Sequence, residues 1–245
     1  NGINSTLHWG QKYEPISTEY YQKINNVKIG DFGCIKHPKY HFIGASPDGI
    51  VINEDSRIFG RMLEIKNIVN REINGIPKLE YWIQMQLQME TCDLNECDFL
   101  ETKFIEYDSY LDFINDGTFT KSNDNKLKGI FVLFNNDNSP VYEYCPLEST
   151  IEEYNIWETN ILNKHSDKEW VQNIYWKLEI VSCVLVLRNK LWFKKVISII
   201  ENFWQTIEYE RKNGYKHRKP KKRTSTKLSS NNNFDINMIE IMNIE

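Results

Sequence analysis

The sequence predicts an α/β fold in which a mixed central β-sheet is flanked by helices and followed by an α-helical C-terminal region. Three observations lead there. Short runs rich in β-branched and aromatic residues are interleaved with longer helix-periodic stretches, the pattern of strands covered by helices. Hydrophobic residues make up 40% of the 245 residues, enough for one sizeable core. In the run Met62-Leu63-Glu64-Ile65-Lys66 two charged side chains share one face between apolar neighbours, so they either meet solvent or converge on a site.

Along the chain, Trp9 to Ile24 reads as a helix, with Trp9, Tyr13, Ile16 and Tyr20 on one face. Gly33 to Phe42 reads as a strand entering a loop. Gly44 to Ile52 reads as a strand, Asn53 to Ser56 as a polar turn, and Arg57 to Val69 as the returning strand. Lys78 to Thr91 lacks Gly and, like a good helix, Pro. Phe99 to Tyr107, Gly129 to Phe134 and Val141 to Cys145 are strand candidates, the last two paired across Asn135 to Pro140. Glu148 to Lys164 and Trp170 to Lys212 are expected to be helical, the second broken in two. In it Trp176, Ile180, Val184, Leu187 and Leu191 resemble a core-facing helical stripe. From Lys216 the composition shifts to Lys, Arg, Ser, Thr and Asn, which reads as a disordered tail or an arm that orders on binding. Its apolar end, Phe234 to Ile244, could dock on the body or on a neighbouring subunit. The expected division is a core over 1–165, a helical region over 166–215 and a basic tail with a short terminal segment over 216–245.

Composition excludes several classes. The most apolar long stretch, Ile180 to Ile200, is interrupted by Arg188, Lys190, Lys194 and Lys195, so no membrane span is expected. The five cysteines are scattered and form no CxxC pair, which argues against zinc ribbons, disulfide scaffolds and an iron–sulfur cluster. With those cysteines and no leader-like pattern from Asn1 to Trp9, the expectation is a reduced intracellular compartment, cytoplasm or nucleus, and not secretion. The net charge of −4 hides a polarity: residues 1–210 carry −10, while Arg211 to Lys227 holds nine Lys/Arg and no acid. Such a tail suits phosphates through counterion release, or nuclear import. His37 and His41 are too few for a zinc site, and Pro38 argues against a helix presenting both.

The chemistry concentrates in Ser46-Pro47-Asp48-Gly49 and Leu63-Glu64-Ile65-Lys66. A hairpin between them would bring Asp48 alongside Glu64. Carboxylate oxygens are the ligands Mg²⁺ prefers, a metal-bound water is a nucleophile near neutral pH, and a nearby lysine can orient it or offset developing charge.

Gly44-Ala45-Ser46-Pro47-Asp48-Gly49 followed by Leu63-Glu64-Ile65-Lys66 resembles the PD-(D/E)XK nucleases, more closely their lambda-type exonuclease branch with its YqaJ-like viral recombination nucleases. Trp9-Gly10-Gln11-Lys12-Tyr13-Glu14 is similar to that branch's first core helix, and Tyr81-Trp82-Ile83-Gln84-Met85-Gln86 to a later one. The resemblance spans about residues 9–107 and implies a restriction-endonuclease-like core. It implies that Asp48 and Glu64 bind Mg²⁺ or Mn²⁺ with the Ile65 carbonyl as a further ligand. Lys66 would assist the attacking water, Glu14 would be an outer ligand, and Gln84 would position Lys66, the water or the phosphate. It further implies an exonuclease acting on linear duplex DNA ends, with single strands also considered, in viral or phage recombination, repair or defence. A homo-oligomer (dimer or ring trimer) and a helicase or recombination partner follow by the same resemblance. An endonuclease and a catalytically silent DNA-binding protein are the rival readings.

Overall fold

The computed structural model describes residues 5–137 and 139–218. The polar tail and the apolar end Phe234 to Ile244 lie outside the described residues, apart from a 3₁₀ turn at Lys216–Arg218.

Helix α1 (Thr6–Asn25) opens on Ser5, whose side chain accepts from the His8 amide at 3.2 Å, and closes on Asn26 in the left-handed conformation. Short strands follow: β1 (Ile29–Gly30), β2 (Ile35–Lys36), β3 (Gly44–Ala45) and β4 (Gly49–Val51). Then come β5 (Met62–Asn67), α2 (Leu79–Cys92), β6 (Glu96–Glu106), α3 (Tyr110–Asn115), β7 (Lys128–Asn136) and β8 (Ser139–Tyr144). Helix α4 (Ile151–Lys164), strand β9 (Glu169–Leu187) and helix α5 (Lys190–Asn213) complete the described chain.

The main sheet has seven strands in the order β1-β4-β5-β6-β9-β7-β8, and β2 pairs with β3 in a separate hairpin. Only β5 and β6 run parallel, joined by the α2 crossover; the other neighbours are antiparallel, so the sheet is mixed as expected. Alternation along β5 and β6 splits the core. Leu63, Ile65 and Leu100 pack with Tyr21 of α1, whereas Met62, Cys97 and Phe99 pack with Met85 and Met89 of α2. Tyr13 and Ile16 of α1 also cover Phe104, Phe131 and Trp176, while Tyr154 and Ile161 of α4 cover the opposite face of β7. Gly129 lies against Trp176: a Cβ there would fall 2.3 Å from the indole.

Three expectations need correction. Trp170 to Leu187 is the strand β9, not a helix, and it lies between β6 and β7. Ile174, Trp176 and Leu178 alternate inward, and Ile174, Ile180, Val181, Val184 and Val186 favour a pleated strand. The four-residue spacing of Trp176, Ile180 and Val184 arises because the count of two also divides four, and a bulge at Glu179 shifts the register midway. The sheet therefore crosses residue 165, and the helical C-terminal region is α5 alone. Second, of Gly33 to Phe42 only Ile35 and Lys36 are strand, because Gly33 takes a positive φ of 59° and Pro38 lacks an amide. Third, Gly44 to Ile52 is two strands separated by Ser46-Pro47-Asp48.

Candidate active site

Four segments meet at the edge of β5, where β4 stops. Glu14 comes from α1, Asp48 from the break between β3 and β4, Glu64, Ile65 and Lys66 from β5, and Gln84 from α2. All six line one cavity of about 560 Å³. Local geometry explains the convergence. Gly49 opposes Leu63 in the antiparallel register, which sets Asp48 across from Glu64. A Cβ on Gly49 would fall 2.2 Å from the Ile29 methyl of β1, so only glycine lets Asp48 enter the pair this closely. With β4 paired only as far as Leu63, the Ile65 amide has no strand partner on that side, and the Asp48 Oδ2 accepts it at 2.6 Å. A strand residue directs its N–H and C=O to the same side, so the Ile65 carbonyl faces the same edge.

Glu64 is fully buried on the α2 face of β5. Its Oε1 accepts from the Lys66 ammonium and from Gln84 Nε2 at 2.7 Å; its Oε2 accepts from Gln88 Nε2 at 2.8 Å. Gln84 thus holds Glu64 itself rather than Lys66. Helix α1 is tied to β5 by Asn67, whose Nδ2 donates to the Gly10 carbonyl at 2.8 Å. Its Oδ1 accepts from Ser17 and Thr102 at 2.7 and 2.6 Å. Glu14 lies one helical turn beyond Gly10 on the cavity wall, and Pro15 removes the amide that would have bonded the Gln11 carbonyl.

Burial first and the Glu64 charge second raise the Asp48 carboxyl to about 7, against the pull of the Ile65 amide and Lys66. Glu14 is raised by burial and then by Glu64. Three acidic side chains thus crowd one cavity, and a divalent cation among them would offset their mutual repulsion. The donors fit such an ion: the Asp48 and Glu64 carboxylates and the Ile65 carbonyl are the hard oxygens Mg²⁺ and Mn²⁺ take. Among the described residues no three His, Cys, Asp or Glu side chains form a metal-holding group, so the carbonyl and waters would complete the shell.

Two cavity residues, Tyr81 and Arg71, were given no role in the sequence reading. The Tyr81 ring centroid lies 5.1 Å from the Lys66 Nζ and 5.5 Å from the Arg71 guanidinium carbon. Arg71 pairs with the fully buried Glu101. Gln88 sits one turn beyond Gln84 on the same face of α2, a spacing that pointed to it without giving its contact. His37 stays away from the site: its Nδ1 accepts from the Lys39 and Tyr40 amides at 3.0 and 3.2 Å, and its ring stacks on Phe193.

A mixed sheet with two carboxylates and a lysine at the edge of one strand is the architecture the sequence motifs foretold. Residues 2–95 match the family model described as the YqaJ-like viral recombinase domain, so the resemblance to that family is borne out. The chain is 32% identical over 249 aligned positions to the uncharacterized protein R354 of Acanthamoeba polyphaga mimivirus, covering 87% of this chain and 45% of that protein. It therefore spans less than half the length of that relative. Among solved structures it is similar to an alkaline exonuclease (LHK-Exo) from Laribacter hongkongensis, at 30% identity over 42% of this chain and 53% of that one, with a TM-score of 0.34. It is also similar to LHK-Exo in complex with dAMP, at 18% identity over 87% and 76% of the two chains, with a TM-score of 0.44. No helix among the described residues is long and apolar enough to cross a membrane.

Proposed function

We propose that this chain is a divalent-metal-dependent deoxyribonuclease that hydrolyses phosphodiester bonds of linear duplex DNA from its ends, using Mg²⁺ or Mn²⁺. The observation that carries the reading is the meeting of Asp48, Glu64 and Lys66 on one open cavity with Glu14 and Gln84, from helices α1 and α2, beside them. A bound metal would supply Lewis acidity for the attacking water and for the phosphate charge. Asp48 and Glu64 would hold it, and the Ile65 amide keeps Asp48 turned toward it. Lys66 would release Glu64 and orient the attacking water by a hydrogen bond, or offset the charge developing on a phosphate oxygen. Arg71 and Tyr81 extend the wall beyond Lys66, a cation and a ring suited to a phosphate and a base. The YqaJ-like match supports a role in viral recombination, with a homo-oligomer and a helicase or recombination partner as further parts of this proposal. The unit responsible runs from α1 through β9, because β9 is built into the sheet.

The test is a gel assay on 5′-phosphorylated linear duplex and matched closed circular DNA, with Mg²⁺, Mn²⁺ or EDTA, wild type beside Asp48→Asn. Loss of the linear substrate alone, dependent on metal and on Asp48, is expected. Cleavage of the circle would replace the exonuclease with an endonuclease. Cleavage that survives Asp48→Asn would sink the assigned site, and binding without turnover would favour the silent DNA-binding protein.

A further inference from the structure

We propose that Gln88 is a positioning residue that locks Glu64 and the Asp48 segment into one metal-ready arrangement; this rests on the metal site proposed above. A single amide nitrogen links the two. Gln88 Nε2 donates to Glu64 Oε2 at 2.8 Å and to the Ser46 carbonyl at 3.3 Å, two residues before Asp48. Both neighbours are pure acceptors, so the amide cannot be turned over: its nitrogen must face them. Its own carbonyl then points the other way, and among the described residues Gln88 Oε1 is buried without a partner. The side chain is 4% exposed. A buried acceptor left unpaired is costly, and such a cost persists where the other end of the group is needed.

The division of labour on Glu64 gives Gln88 a distinct task. Gln84 and Lys66 both address Oε1, so removing either leaves a second donor on that oxygen. Gln88 is the donor on Oε2. Without it the carboxylate can rotate about its last bond, and the Ser46-to-Asp48 stretch loses its tie to α2. Partners that orient metal-binding carboxylates typically change metal affinity or activity by about 10–100-fold when removed.

Gln86 is the matched control. It is equally buried on the same helix, but it holds the Leu187 carbonyl and the Asn189 amide at 2.9 and 2.6 Å, away from the site. Mn²⁺ titration followed by the spin-resonance signal of the free ion, with melting temperature and steady-state cleavage of linear duplex, compares wild type, Gln88→Met, Gln86→Met and Asp48→Asn. Gln88→Met is expected to weaken Mn²⁺ binding by about tenfold or more and to lower kcat with KM for DNA unchanged. Gln86→Met is expected to lower the melting temperature and leave Mn²⁺ affinity intact. If Gln88→Met does not fold, Gln88→Asn, which draws the amide back by one methylene, is expected to give the same loss. Wild-type Mn²⁺ affinity in the Gln88 variants, or an equal loss in Gln86→Met, would overturn the assignment while leaving the metal site standing. Equal Mn²⁺ binding by wild type and Asp48→Asn would overturn the metal site, and this inference with it.

Discussion

Asp48 is held in a place that resists its charge. Its carboxyl is raised from an ordinary 3.8 to about 7, first by burial and then by Glu64. An acid whose pKa rises on folding contributes stability that is complete below its ordinary pKa and is lost as pH climbs through the folded value. The metal-free protein is therefore expected to melt at a lower temperature at pH 8 than at pH 5, with the loss centred between about 4 and 7 for this group. Asp48→Asn should shrink that difference, and saturating Mn²⁺ should offset it by favouring the ionised carboxylate. Melting curves across pH check this; an undiminished slope in Asp48→Asn would count against it. Asp48, Glu64 and Lys66 were legible because each lies in a short local pattern whose chemistry is read off directly. Glu14 and Gln84 were legible only through family resemblance, since a lone Glu or Gln on a helix is usually solvated. The face of Gln88 was legible but its contact with Glu64 was not, and Arg71 was hidden because its importance depends on Glu101, which the fold brings opposite it.

At the scale of elements, the site depends on α1 and β5 keeping their register. Asn67 satisfies Gly10, Ser17 and Thr102 together, and Ser17 and Thr102 are wholly buried. Asn67→Leu would leave the Ser17 and Thr102 hydroxyls with only each other, 3.1 Å apart, and is expected to cost about 1–3 kcal/mol in urea unfolding. It should also lower cleavage by shifting Glu14. The β7–β9 contact makes a second demand. Gly129→Ala would drive a methyl into the Trp176 indole and is expected to cost about 1–3 kcal/mol by overpacking, read in the same unfolding experiment. Helices α1, α2 and α4 and strands β6 and β7 were legible because each shows one clear period. Strand β9 was not: its bulges and its apolar residues at both two- and four-residue spacing satisfied a helical template as well. Composition, rich in Val and Ile, was the better guide.

For the whole molecule the decisive property is charge. A body of net −10 over residues 1–210 repels duplex DNA, whereas nine Lys/Arg between Arg211 and Lys227 attract it. Deleting residues 216–245 is expected to weaken duplex binding and to flatten its dependence on salt, while saturating DNA restores the wild-type kcat. Binding measured from about 50 to 200 mM salt checks this, and an unchanged slope would remove the tail from the DNA interface.

The position of β9 also sets an order of events. The last strand among the described residues is an inner one, inserted between β6 and β7. Until residue 187 leaves the ribosome, a nascent chain holds two half-sheets, each with an open, apolar edge that invites pairing with other chains. Release of β9 would join them, so the candidate site would stay on an unfinished scaffold throughout translation of the segments that form it. A chain stopped at residue 165 is expected to sediment as aggregate rather than fold, and the candidate site would thus have no finished scaffold until β9 is made.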